Sequence, residues 1–344
     1  MTVRLIHLDQ IRGREAAALI VDGLLEDLLI AADNDQPLPG AIYRVVVDRQ
    51  MKGQGGVFVR MPNGSGFLRQ ASGLRPGQTI LVQVTGAAEG SKATPVTTRL
   101  LFKSRLCIVT PGAPGINISR RIRDEGLRAE LTIIAQGLMA GIEEDTGLIL
   151  RSACEEADDG AIADDIAATR ALAEAVAADI NGGPELLLDA PAPHEAAWRD
   201  WSDQPVDEVI ENGFASHGVL EQIDDFLRAR VDFPSGGHMM IEATSALIAV
   251  DVNTGPDTTP AAGLKANIAA ARDLPRQLRL RGLGGQIVVD FAPMVKRDRA
   301  TLDQVLRAAF RGEASETSLV GWTGLGLYEL VRKRDRLPLA DVLA

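Results

Sequence analysis

Two apolar runs that each lead into an aspartate constrain this chain more than any other feature. Ala246 to Val252 carries Asp251 and runs on into Asn253-Thr254-Gly255, and Gln286 to Val289 ends at Asp290. Short runs of β-branched and aliphatic residues bounded by turn signals read as strands, the second with the pattern of a buried strand. Between them Leu264, Ile268, Ala271, Leu274 and Leu278 mark one face of a helix, which Pro275 is expected to kink or shift. Met239 to Ala243 reads as a further strand, preceded by the turn Pro234-Ser235-Gly236-Gly237. Two strands joined by a helical crossover predict an open α/β sheet with both aspartates near its C-terminal edge, where such sheets bind ligands.

An aspartate at the end of a buried apolar strand needs a cation or hydrogen-bond donors, because an unpaired buried carboxylate is costly. Two readings stay open for Asp251 and Asp290. They can converge on magnesium, which takes one or two carboxylates plus waters and substrate phosphate. They can instead pair with arginines such as Arg279. Asn253, two residues beyond Asp251 on an extended segment, projects from the same face and is placed to orient that carboxylate or a water.

At 344 residues the chain suits two or three domains. It opens with Ala16 to Val21, then Asp22-Gly23, then Leu24 to Ile30, a strong hairpin signal. From Ala41 to about Phe102 short β-rich runs follow: Ile42 to Val47, Val57 to Val59, Thr79 to Val84 and Val96 to Phe102. Turns at Lys52 to Gly56, Asn63 to Gly66 and Pro76-Gly77 separate them. Runs of this kind predict a small barrel, and Phe58 and Phe67 are candidates either for stacking bases of a single strand or for filling the core. Glycines 53, 55 and 56 precede a strand, so a phosphate-cradling loop before a helix does not fit. Two helical stretches are expected before Gly182, the second with Ile162, Ile166, Leu172, Val176 and Ile180 as its apolar stripe. Residues 183–217 read as a connector with one strand, Leu186 to Leu188. A helix then presents Leu220, Ile223, Leu227 and Val231 on one side.

The net charge of −11 excludes a general nucleic-acid coat, but not a local site. All but six of the 36 basic residues are arginine, and several cluster, at Arg120, Arg121 and Arg123 and again at 332–336, in a segment read as helical. Arginine's planar fork grips phosphate in two places. Cys107 and Cys154 match no zinc or redox spacing and read as buried thiols of a reducing cytoplasm. The opening residues lack a signal-sequence core, and no apolar run is long enough to span a membrane. None of His7, His194, His217 and His238 sits in a recognisable triad or zinc motif.

The stretches SGGHMMIEATSALIAVDVNTG (235–255) and ARDLPRQLRLRGLGGQIVVDF (271–291) resemble the ribonuclease E/G family. GINISRRI (115–122), GLILRS (147–152) and GLGLYELVRKR (324–334) extend the resemblance over most of the chain. It implies a multi-domain α/β protein. A ribonuclease-H-like fold (1–35 and a shortened 183–217) would be split by an inserted OB-type RNA-binding β-barrel (36–104) and a 5′-end-sensing region (105–182). A deoxyribonuclease-I-like catalytic domain (218–344) would follow. The implied activity is a cytoplasmic, magnesium-dependent endoribonuclease that cuts single-stranded RNA in processing or decay, leaving 5′-phosphate and 3′-hydroxyl ends.

The resemblance also implies roles for single residues. Asp251 and Asp290 fall on the family's metal-binding aspartates and Asn253 on the asparagine supporting the first. Phe58, Phe67 and Lys92 correspond to barrel residues guiding RNA, and Arg120 and Arg121 to paired arginines on its path. Arg151 and Ser152 match an arginine and a threonine that hold a 5′-monophosphate.

Four departures accompany these matches. The family's paired-cysteine zinc motif has no counterpart, so any homodimer would form without a zinc link. The 183–217 connector is short. Pro293 stands where the family often has a further aspartate, and around Glu313 to Thr317 a second 5′-end arginine is missing. An RNA-binding regulator that has kept the fold without efficient catalysis is therefore the competing expectation. A deoxyribonuclease or phosphatase would share the carboxylate pair but would not account for the barrel.

Overall fold

The computed structural model describes residues 2–32, 36–51, 55–69, 71–88, 90, 92–141, 145–234, 236–257, 259 and 261–344. Lys52, Gly53 and Ser235 of the expected turns lie outside these residues. The chain forms two compact units, Met1–Ala32 with Val209–Ala344, and Asp33–Glu208. Among the described residues no helix is long and apolar enough to cross a membrane.

The first unit begins with an antiparallel meander, β1 (Arg4–Ile11), β2 (Arg14–Val21) and β3 (Leu24–Ile30). Asp22 and Gly23 both have positive φ, 50° and 82°, as the expected two-residue hairpin turn requires. The preceding turn, Arg12-Gly13, has the same signs but carries no sequence signal, since arginine rarely adopts positive φ.

The second unit holds the barrel. β4 (Ile42–Met51), β5 (Gly56–Met61), β6 (Gly64–Leu68), β7 (Thr79–Val84) and β8 (Thr94–Thr97) bond in the order β4-β5-β6-β8-β7, and β7 pairs back onto β4. Closure leaves inward residues such as Val45, Val47, Val57, Val59, Val82 and Val96 to fill the interior. The run expected from Val96 to Phe102 is broken. Leu100 and Phe102 are buried in the neighbouring core instead, and Phe102 begins β9 (Phe102–Lys103). β10 (Cys107–Thr110), β11 (Gly115–Ile118), α1 (Glu125–Met139), β12 (Gly147–Leu150) and α2 (Asp159–Ala178) complete that core.

In α2 the buried stripe is Ile162, Ile166, Thr169, Ala173 and Val176. Leu172 is exposed and Ile180 lies beyond the helix end, because a 3.6-residue period selects 169 and 173, not 172. Cys107 and Cys154 are buried and unbridged, and burial pushes their thiols up to about 11 and about 12. β13 (Glu185–Leu188) pairs with β4, and α3 (Pro193–Trp201) is a helix within the segment read as a connector.

β14 (Glu208–Glu211) joins the edge of the meander beside β1. α4 (Val219–Phe226) buries Val219, Ile223 and Phe226. Leu220 and Leu227, expected on that side, are exposed, and Val231 belongs to β15 (Arg230–Asp232). The remaining elements are β16 (His238–Ala243), β17 (Ile248–Asn253), α5 (Ala262–Leu280), β18 (Gly285–Asp290), α6 (Asp298–Phe310), β19 (Thr317–Trp322), β20 (Tyr328–Arg332) and α7 (Leu339–Val342). The sheet order is β15-β16-β17-β18-β20-β19, with β17 and β18 parallel. α5 runs unbroken across Pro275, whose neighbours Leu274 and Leu278 are fully packed, so tertiary burial outweighs the lost backbone bond. The arginine-rich end of the chain, read as helical, is strand up to Arg332. Tyr328, Leu330 and Arg332 alternate inward against exposed Glu329 and Val331, a period of two.

Arg336 donates two hydrogen bonds to buried Asp27, one of them 3.0 Å long. Burial alone would push the Asp27 carboxyl up, but the adjacent Arg336 guanidinium more than reverses this and holds it below the ordinary carboxylate value. A carboxylate with a depressed folded-state pKa stabilises the fold above its unfolded value, about 4, and that contribution is lost as pH falls further. Neighbouring Glu26 is raised by burial and contributes the opposite slope, so Asp27→Asn isolates the Asp27 share. Denaturant titrations from pH 6 to pH 3 should show wild-type stability falling below about pH 4, with a shallower fall in Asp27→Asn. Parallel curves would refute this.

Candidate active site

β17 and β18 alternate strictly. Ile248, Val250 and Val252, with Ile287 and Val289, face the layer formed by α5 and α6. Asp251, Asn253 and Asp290 therefore face the other way, and both aspartates are exposed. Neither carboxylate therefore carries the cost of burial, and exposed Gln286 lies on the same face of β18 as Asp290. Asp251 and Asp290 are register partners on adjacent parallel strands. The Asn253 amide donates to Asp251 Oδ2 at 2.7 Å, as the shared face predicts.

Arg279, the alternative partner, bonds Glu26 and Glu313 instead. Among the described residues neither Asp251 nor Asp290 has an ion-pair partner. Like charges directly opposite on neighbouring strands destabilise a sheet. Two adjacent carboxylates, one with an oxygen already oriented by an amide, are a donor set that fits a hard divalent cation completing its shell with water.

Two residues that hold the strand end escaped the sequence reading. Buried Asn267 on α5 donates to Ala292 O at 2.9 Å and accepts from Ala292 N at 2.9 Å, clamping the chain two residues past Asp290. Gly263 lies so close to Pro293 that an added Cβ would sit 2.2 Å from its carbonyl oxygen.

In the second unit Phe58 and Phe67 are register partners on β5 and β6. Their rings lie 5.1 Å apart, half-buried on the outside of the barrel, so they do not fill its core. The Arg49 guanidinium lies 5.0 Å from the Phe58 ring centre, a cation the sequence reading did not select. Gly56 gives the Phe67 ring room to lie across β5, since a Cβ there would meet it at 2.3 Å. Lys92 is exposed just before β8. Arg120 and Arg121 are exposed in the turn between β11 and α1, which Arg128 fastens by donating to Ser119 O and Ile122 O, both at 3.0 Å.

Arg151, at the end of β12, is differently placed. Its guanidinium donates to Ser104 O at 2.6 Å and Arg199 O at 2.9 Å, and reaches Asp200 at 3.3 Å and Asp203 at 3.4 Å. Its side chain is only 11% exposed. Ser152, which opens a short 3₁₀ turn, is buried.

An α/β sheet bearing paired carboxylates, together with a closed barrel bearing an external aromatic pair, suits a nucleic-acid-processing protein. Comparison with known proteins makes this specific. The model of the ribonuclease E/G family matches residues 102–216 and 210–335, and the chain belongs to that family. It is 29% identical to ribonuclease E of Nostoc sp. over 93% of this chain and 54% of that protein. It is 26% identical to ribonuclease G of Escherichia coli K12 over 95% of this chain and 79% of that one. With ribonuclease G of Haemophilus influenzae the identity is 27%, over 95% and 78%. The chain thus spans about half of the Nostoc protein and about four fifths of the ribonucleases G.

Proposed function

We propose that this chain is a magnesium-dependent endoribonuclease that cuts single-stranded RNA to 5′-phosphate and 3′-hydroxyl ends. The observation that carries the reading is the register match of Asp251 with Asp290, two exposed carboxylates with Asn253 fixing one of them. Asp251 and Asp290 would hold the ion. When bound, it supplies Lewis-acid stabilisation of the scissile phosphate and a water made more acidic. Asn253 keeps Asp251 in one orientation, so that the carboxylate does not have to be ordered during the reaction. Phe58 and Phe67 offer stacking faces to unpaired bases, with Arg49, Lys92, Arg120 and Arg121 as phosphate partners. In this reading the first unit combines a trimmed ribonuclease-H-like meander with a deoxyribonuclease-I-like sheet, and the barrel is of the OB type. The buried, unbridged cysteines suit a cytoplasmic setting.

Arg151 is tied in this scheme to Ser104, Arg199, Asp200 and Asp203, and a terminal phosphate would have to displace the two carboxylates from its guanidinium. The test uses a short AU-rich RNA with a 5′-monophosphate or a 5′-hydroxyl, in magnesium or in chelator. Expected are internal cuts in magnesium only, at rates within about twofold for the two ends. RNA bound but uncut in magnesium would favour the regulator, and a strong monophosphate preference would return Arg151 and Ser152 to end sensing.

A further inference from the structure

The register places Arg230, Met240, Asp251 and Asp290 abreast on four successive strands, β15, β16, β17 and β18. Val231 packs into the core beneath, so Arg230 and Asp232 stand on the same open face as the two catalytic aspartates. Successive strands lie about 4.8 Å apart, which puts the Arg230 backbone about 10 Å from that of Asp251, a span of one or two nucleotides of extended RNA. The neighbouring rows of this face hold Glu242, Ala249, Val288 and Glu329 on one side and Asp232, His238 and Asn253 on the other. Among the described residues of the sheet, Arg230 is the one lysine or arginine that the register sets on this face.

We propose that Arg230 and Met240 form a subsite that grips the backbone phosphate next to the cleaved one and supports its nucleoside. This rests on the reading of Asp251 and Asp290 as the cutting site. Arg230 is held by Asp232, through Nε at 3.0 Å and a terminal nitrogen at 2.7 Å, with both side chains more than half exposed. A surface pair of this kind contributes little to stability, so a phosphate that fits the guanidinium fork can displace the carboxylate. Half-buried Met240, between the arginine and Asp251, gives a polarisable, adaptable surface suited to a ribose or base. The need for a cation follows from the charges of the face. Asp232, Glu242, Asp251, Asp290 and Glu329 repel a polyanion, and beyond the metal only Arg230 offsets them in the row where the RNA is cut.

Arg230→Gln tests this with RNAs in which one backbone linkage at a time is made neutral as a methylphosphonate. KM in magnesium and Kd in chelator should both rise about tenfold in Arg230→Gln, and the log–log salt slope of binding should shrink by about 0.7, one phosphate contact on a single strand. In wild type one neutral linkage, within two nucleotides of the cleaved bond, should raise KM by a similar factor. In Arg230→Gln that same linkage should have no further effect. An unchanged Kd and salt slope, or equal losses in both proteins at every linkage, overturns the proposal. Wild type that binds RNA without cutting it overturns the endonuclease reading instead, while Kd and salt slope still decide the role of Arg230.

Discussion

Asp290→Asn should cut RNA at least ~10³-fold more slowly than wild type, with Kd for the same RNA in chelator changed by no more than about twofold. Asparagine keeps the size and shape of the side chain and removes its charge. Because Asp290 is exposed and lacks an ion-pair partner among the described residues, the substitution opens no cavity and strands no buried cation. It relieves the repulsion between two carboxylates facing each other across β17 and β18, so stability should be equal or slightly higher. A loss of activity in a protein at least as stable as wild type cannot come from unfolding. Asn253→Ala should lie between the two, at about 10- to 100-fold slower, since it frees Asp251 without deleting a carboxylate. Rates matching wild type in Asp290→Asn would show that the carboxylate pair does not perform the cleavage.

Glu313→Ala should lose about 3 to 5 kcal/mol of stability. Glu313, just past α6, is 6% exposed in its side chain and accepts from two arginines, Arg332 at 2.7 Å and Arg279. Arg332 is 2% exposed, and without Glu313 it keeps a contact with Thr317 Oγ1 at 3.3 Å. Arg279 keeps Glu26 as a partner. The substitution thus leaves one guanidinium buried and uncompensated, which is more costly than the pair's own net attraction would suggest. Glu313→Gln, which can still accept a hydrogen bond, should lose less. Denaturant titration, with hydrogen exchange read at β19 and β20, would measure both. A loss under about 1 kcal/mol in Glu313→Ala would mean that water reaches Arg332.

The features legible in the sequence are those that local chemistry encodes. Asp22-Gly23 announces its hairpin because aspartate and glycine tolerate positive φ, whereas Arg12-Gly13 makes the same turn through a residue that gives no such signal. The parallel pair of β17 and β18 was visible from two apolar runs around a helical stripe, and Asn253 from a spacing of two. What stayed hidden depends on partners distant in the chain. The clamp of Asn267 on Ala292, the closeness of Gly263 to Pro293 and the ties of Arg151 to Ser104, Asp200 and Asp203 exist only once the chain has folded. The exposure of Asp251 and Asp290 stayed hidden for a related reason. A run such as Gln286 to Val289 is compatible with a strand covered on both faces or on one, and only the position of α5 and α6 decides between them.

The order in which this chain is synthesised differs from the order in which it can be packed. Ala16, Ala18, Ile20, Leu25 and Leu28 of the opening meander share a core with Phe214, Val219, Ile223 and Phe226, and then with Leu280 and Leu339. The whole of 33–208, with its own barrel and cores, is made in between. A nascent chain therefore carries an apolar three-stranded ribbon with neither its covering helix nor its edge partner β14 until residues past 208 emerge from the ribosome, while the contiguous 33–208 stretch has its own core residues at hand. During that interval the ribbon is the segment most open to pairing with another copy of itself or to capture by a chaperone.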